Sequence, residues 1–271
     1  MTALRYVAIV LVALLAIGWL GFQIPPAPFT PYQASGSNSE PATIPLPSDL
    51  PSPVRRYYEA LYGDQVPVVE SVVLSGRARL RMNGLAFRAR FRFIHQAGEG
   101  YRHYIEGTWF GIPVLVVNEH FVDGRARMEL PFGVTEDEPK VDQAANLALW
   151  GEAIWFPTLW LTDPRVRWEP IDDTHARLIV PFGKESDSLV FAFDPQTNLL
   201  LTEEAMRYRE VTGAKIRWLN TVLDWESFAG TRLPSPASVH WMDQAKPWAV
   251  FTVKEAVYNT DVSEYIRAFG L

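Results

Sequence analysis

The 271-residue chain carries a net charge of −6 and has no cysteine. An acidic balance supplies no general attraction for nucleic acid, and the missing thiols exclude disulfides, thiolate metal centres and a lipid-modified cysteine. Ten Trp, ten Tyr and fifteen Phe suffice to fill a large apolar interior or to line a cavity inside one.

Residues 6–24, YVAIVLVALLAIGWLGFQI, carry no charge. Nineteen helical residues rise about 28 Å, close to the thickness of a bilayer core. Arg5 precedes the run and the next basic residue is Arg55. The positive-inside bias therefore predicts a cytoplasmic N-terminus and an extracytoplasmic remainder. Residues 1–24 read as a single-pass membrane anchor. A cleaved signal peptide is the alternative, although Trp19-Leu20-Gly21 follows the apolar run where such a peptide carries a small-x-small site. Residues 25–51 hold eight prolines among Ser, Asn and Gly and read as an extended linker that does not pack, with a reach of roughly 80 Å. Residues 52–271 form one domain. It opens on a helix with Ser52 as N-cap, Pro53 in the first turn and Gly63 as C-cap.

Beyond Gly63 the apolar period becomes two. In residues 76–93, GRARLRMNGLAFRARFRF, Arg77, Arg79, Arg81, Arg88, Arg90 and Arg92 alternate with apolar residues on either side of Asn83-Gly84. This is a strong hairpin signal, and it puts all six guanidinium groups on one face. The segment 55–102 holds nine arginines against four acids. Such a face needs acids from neighbouring strands, with Glu106, Glu119 and Glu129 as candidates. It is also the candidate surface for an anionic headgroup. Further strands are expected at residues 101–107, 113–121, 124–130, 165–171, 175–182, 188–193, 199–211, 214–228, 236–243 and 248–259. About ten or eleven strands in a meander imply a large antiparallel sheet that must curve.

Residues 141–161 interrupt the β pattern. VDQAANLALWGEAIWFPTLWL is rich in Ala and Leu, has Glu152 as its only charge beyond Asp142, and reads as helix to Phe156, where Pro157 stops it. A helix this apolar must be covered, and the concave side of the sheet is the available cover. Residues 261–271 read as a short closing helix. The fold class is thus mainly β (α+β): a half-barrel sheet wrapped around an apolar helix and preceded by one transmembrane helix.

Two blocks, residues 155–158 (WFPT) and 168–173 (WEPIDD), together with residues 50–57 (LPSPVRRY), resemble an uncharacterised bacterial family of unknown function over roughly residues 50–260. The shape implied by that resemblance is similar to the LolA-like half-barrel of lipoprotein and lipid carriers, which hold acyl chains between a curved sheet and helices. It carries over no activity.

The five histidines, His95, His103, His120, His175 and His240, show no paired metal-ligand spacing. No nucleophile elbow, phosphate loop or dinucleotide fingerprint is present, and no metal, cofactor or catalytic residue is implied. Glu152 is expected to pair with an arginine or to point outward, and Asp172-Asp173 to form a turn. The aromatic set Trp109, Phe110, Trp150, Trp155, Phe156, Trp160 and Trp168 either fills the core or lines a space for an apolar ligand. The expectation is a membrane-anchored, non-enzymatic domain that binds a hydrophobic or amphipathic ligand such as a lipid, with no nucleic-acid partner. The rivals are a structural or protein-interaction module of the envelope with a filled core, and a hydrolase whose site is dispersed along the chain.

Overall fold

A computed structural model describes residues 2–34, 41–228 and 230–268. The apolar N-terminal run forms helix α1 (Thr2–Gln23). Its Leu4–Gln23 stretch has the length and composition to cross a membrane and is almost wholly exposed. A short ribbon follows, β1 (Thr43–Pro45) paired with β2 (Gln65–Pro67), and between them lies α2 (Ser52–Tyr62). Pro51, not Ser52, occupies the N-cap position of α2 and no side chain caps it, whereas Gly63 (φ 71°) closes it as expected. The buried face of α2 is aromatic: Tyr57 packs on Phe193 and Trp225, and Tyr58 donates a 2.6 Å hydrogen bond to the carbonyl of Pro157.

The body of the fold is one sheet. Its N-terminal half comprises β3 (Ser71–Met82), β4 (Leu85–Gln96), β5 (Gly100–Trp109), β6 (Ile112–Val122), β7 (Arg125–Leu130) and β8 (Gly133–Glu136). Helix α3 (Pro139–Gly151), a 3-10 turn (Glu152–Trp155) and the short α4 (Leu159–Thr162) intervene. The chain then returns as β9 (Arg167–Pro170), β10 (His175–Phe182), β11 (Glu185–Phe193), β12 (Leu200–Arg207) and β13 (Ile216–Val222). A separate ribbon of β14 (Trp225–Phe228) and β15 (Thr231–Pro234) precedes β16 (Ala237–Trp241) and β17 (Ala249–Tyr258). The spatial order β8-β7-β6-β5-β4-β3-β17-β16-β13-β12-β11-β10-β9 joins two meanders through the pairing of β3 with β17, and every neighbouring pair is antiparallel.

The curved antiparallel sheet around an apolar helix is therefore the fold, with thirteen strands in place of ten or eleven. The edge strand β8 is too short to display an alternation. Residues 214–228, expected as one strand, break at Leu223-Asp224, whose amides turn to the carbonyl of Pro236. Residues 261–268 form turns where a closing helix was expected, and the last three positions lie outside the described residues.

Asn83 (φ 50°) and Gly84 (φ 82°) make the predicted two-residue turn, and the register Met82↔Leu85, Arg79↔Arg88, Arg77↔Arg90 sets the arginines on the outer face. The inner face carries Ala78, Leu80, Phe87, Phe91 and Phe93, all buried. Helix α3 lies in this concave side, against β6 and β7 on one flank and β10, β11 and β12 on the other. It stops at Gly151, five residues short of the expected end. There a Cβ would lie 2.3 Å from Glu203 Oε1 and 3.0 Å from the Trp218 ring, so only glycine lets the helix end approach the sheet this closely.

Residues 27–32 of the proline-rich tract are not a free spacer, and residues 35–40 of it lie outside the described residues. Phe29 is buried, with the Arg90 and Arg92 guanidinium carbons 4.3 Å and 5.4 Å from its ring centroid. Arg90 Nη1 donates to the carbonyl of Ala27 (3.1 Å) and Arg92 Nη2 to that of Thr30 (2.5 Å), while the Tyr32 amide donates to Glu255 Oε1 (2.9 Å). Residues 27–32 are thus strapped to the outer face. Composition predicts an unpacked chain here, but two arginines that satisfy backbone carbonyls and cover an aromatic ring outweigh it.

Candidate functional site

A cavity of about 270 Å³ lies between the concave sheet and the end of α3. Its walls are apolar, built from Phe87, Phe93, Ile105, Val117, Trp155 and Phe251, and its floor is polar, with His103, Glu119, Glu152, Arg207 and Asn220. These floor groups come from five elements, and strand alternation explains why the four that sit on strands point inward. In the β4–β5 pairing, His95 faces Tyr101 and Phe93 faces His103, so both histidines share the inner face with the phenylalanines. His103 faces Glu119 across to β6. On the opposite flank Glu203 faces Asn220 across β12–β13. Glu152, first residue after α3, drops into the space between the two flanks.

His103 is held between two carboxylates. Its Nε2 lies 2.6 Å from Glu152 Oε2, and its Nδ1 lies 3.8 Å from Glu119 Oε2. Tyr101 stacks on its ring (centroids 4.1 Å apart) and donates to Glu119 Oε1 (2.6 Å). Burial by itself disfavours the imidazolium, but the Glu152 carboxylate, hydrogen-bonded to Nε2, together with Glu119 on the other side of the ring, more than offsets it and raises the His103 pKa to about 9. Burial likewise pushes Glu152 up, and the charge and hydrogen bond of His103 overcome this and bring it down to about 2. The pair is ionic at neutral pH. His95, fully buried, has Nε2 3.3 Å from the same Glu152 oxygen; burial lowers its pKa and keeps it neutral. Burial, and then the nearby Glu152 charge, pushes Glu203 well above the carboxylate range, and its two oxygens have no hydrogen-bond partner among the described residues. The formal charges on the floor cancel: Glu119 and Glu152 against His103 and Arg207. Donor atoms of His95, His103 and Glu152 lie within 4.8 Å of one another, close enough to converge on a cation, although here His103 and Glu152 satisfy each other.

The aromatic set divides. Trp155 lines the cavity and anchors its wall by donating from Nε1 to the carbonyl of Pro234 (3.0 Å). Trp150, Trp160 and Trp168 fill solid core instead: Trp160 donates to the Trp150 carbonyl (2.9 Å), and Trp160 and Trp168 both pack edge-on to Phe191. Phe156 packs on His95. Trp109 and Phe110 sit at the β5–β6 turn beside α1, half-exposed and outside the cavity. Among the arginines, Arg77 and Arg79 are exposed and Arg81 and Arg88 half-buried. Arg90 pairs with Glu106 at 2.7 Å, as expected. Glu119 and Glu129 do not relieve this face, since Glu119 points inward to His103 and Glu129 pairs with Arg127; Glu255, 4.0 Å from Arg92, is the second acid here. Glu152 pairs with histidines where an arginine was expected. The inward histidines had a signal in the sequence: His95, Tyr101 and His103 have the same parity as Phe91 and Phe93.

No curated protein matches the chain. Among solved structures, a LolA superfamily protein from Nitrosomonas europaea superposes with a TM-score of 0.50 at 11% identity, covering 80% of this chain and 96% of its own. A domain described as an outer membrane lipoprotein-sorting protein from Vibrio parahaemolyticus (9% identity, TM-score 0.44) and a DUF1329 family protein from Desulfovibrio piger (11%, 0.43) each cover 73% of this chain and 89% of their own. At these identities the likeness is one of fold, and the first of the three identifies the half-barrel as LolA-like. Residues 40–253 match the family of unknown function DUF6544, so the chain, as its two tryptophan blocks implied, belongs to that family.

Proposed function

We propose that this is a membrane-anchored, extracytoplasmic domain that binds a hydrophobic or amphipathic ligand, such as a lipid, in the cavity between sheet and α3. The observation that carries the reading is the cavity itself: apolar walls that end on a buried, charge-balanced floor. Each methylene moved from water to such walls gains about 0.8 kcal/mol. The floor adds a place for a polar end, because Glu119, Arg207 and Asn220 offer both donors and acceptors. The open space counts against a structural module with a filled core. His103, clamped between two carboxylates, is already committed and does not suit the base of a dispersed hydrolase. Helix α1 supplies the anchor, and the charge asymmetry around it favours an extracytoplasmic domain.

The test is native mass spectrometry and organic extraction of the purified full chain, beside the variant Val117→Trp, which fills the cavity from its wall. The expected result is an apolar ligand with the wild-type chain and at least a tenfold lower content with the variant. Wild-type protein that carries no ligand and takes up no fatty acid would sink the reading.

A further inference from the structure

Three of the sheet's hairpin turns lie at the same end of the strands, and all three are capped by exposed apolar side chains. Met82 flanks the β3–β4 turn, Phe110 stands in the β5–β6 turn with Ile112 beside it, and Phe132 tips the β7–β8 turn. Ile112 is 65% and Phe132 73% exposed. Soluble surfaces scatter such residues singly; gathered on consecutive turns they mark an interaction surface.

Helix α1 shows what that surface meets. Trp109 Nε1 donates to the carbonyl of Gly18 (2.9 Å) and the Phe110 amide to that of Gly21 (2.8 Å). Gly21 makes room for the contact, because a Cβ there would sit 2.3 Å from Trp109 Nε1. Phe22 packs edge-on to Phe87, so the end of α1 is fixed to this rim. If Leu4–Gln23 spans the bilayer core, Gly18 lies about 7 Å inside the extracytoplasmic end of that span. The β5–β6 turn that touches it must then lie at the depth of the membrane interface, where Trp and Phe side chains are at home. Arg81 and Arg88 stand on the outer face of the β3–β4 hairpin two and four residues from its turn, roughly 7 Å and 14 Å up the strands, in the range of depth that lipid headgroups occupy.

The cavity opens at this end as well. Met82 and Phe132 line it together with the floor residues, so its mouth runs between the same turns. We infer that these turns dip into the leaflet around α1 and that the cavity exchanges its ligand directly with that leaflet. This rests on the proposed anchor and ligand. It adds the source of the ligand, the lipid phase of the anchoring membrane, and the route by which it enters.

The natural absence of cysteine makes the test direct. Single spin labels at Phe132→Cys and Ile112→Cys, with Asp123→Cys at the opposite end of the sheet as control, are introduced into the full chain. The chain is reconstituted in nanodiscs of phosphatidylcholine with phosphatidylglycerol. The labels at 132 and 112 should be accessible to oxygen and shielded from a water-soluble nickel relaxant, and the label at 123 the reverse. A label at 132 as nickel-accessible as that at 123 would overturn the inference, and so would one shielded from both reagents, which would mark a protein contact. Ligand content of the same samples separates the two readings. Bound lipid with aqueous labels defeats only the docking, whereas immersed labels on a chain that binds no lipid or fatty acid defeat the ligand and leave the docking.

Discussion

Glu203 is the least expected residue near the cavity, a carboxyl whose two oxygens are buried against Gly151 and Trp218 without a hydrogen-bond partner among the described residues. Its folded pKa lies well above the usual carboxylate range, with burial the main cause. The sign of its effect on stability follows. Below about pH 4.5 folded and unfolded chains both carry the proton and Glu203 contributes no pH dependence. Above it the unfolded chain ionises while the folded chain does not, so stability falls by about 1.4 kcal/mol per pH unit until the folded pKa is passed. Glu203→Gln keeps the shape and removes the titration. It should match the wild type near pH 4.5 and be the more stable of the two at pH 7, by a margin that widens as pH rises above 4.5, read from urea unfolding across that range. The His103–Glu152 pair is stabilising and is common to both proteins: the raised His103 pKa stabilises below about pH 6.5 and loses its effect through pH 9, and the depressed Glu152 pKa stabilises above 4.5 and loses its effect toward pH 2. Parallel wild-type and variant curves would mean that Glu203 is ionised in the folded chain.

At the scale of elements, the strap is where composition misleads. Proline and serine predict an extended spacer, yet Phe29 and Tyr32 sit within it and meet an arginine ladder already evident in residues 76–93. Phe29→Ala should release residues 27–32 without unfolding the sheet, because the ring packs on Arg90, Arg92 and Tyr104 of the outer face and not in the core. Limited proteolysis should then cut within residues 25–34 at least tenfold faster, with the thermal midpoint of the domain almost unchanged; an equal cutting rate would mean that the strap is held by its backbone alone. The arginine hairpin, the sheet and the apolar helix were legible because each is written in a local period of two or of 3.6. The floor was half legible: parity alone turns His95 and His103 inward. Their meeting with Glu152 was not, because it depends on α3 ending at Gly151 and on a sheet curvature that no local pattern encodes. The aromatic set shows the same limit, since Trp155 beside a cavity and Trp150 or Trp160 in solid core have the same composition around them.

For the whole molecule, what matters is that the cavity belongs to neither half alone. Phe87 and Val117 come from the first meander, Trp218 and Phe251 from the second, and Glu152 from the segment between them. The halves are joined through β3 and β17, whose partners are far apart in the chain, such as Leu80 and Ala249. A ligand in the cavity therefore touches both meanders and stabilises only the chain in which they are assembled. Binding must then appear as global stability and not as local protection of one hairpin. At a free concentration one hundred times its dissociation constant, a single ligand adds about 2.7 kcal/mol. For a domain of this size that is a rise of roughly 5–10 °C in thermal midpoint. Dodecanoate titrated into the purified full chain should produce such a rise with the transition still single and cooperative. Val117→Trp should abolish the shift, whereas Phe29→Ala should leave it intact, since the strap is on the other face of the sheet. A rise that survives in Val117→Trp would place the fatty acid on the exposed turns or on α1, outside the interior. No rise at saturation would mean that the space between sheet and helix is not a ligand site.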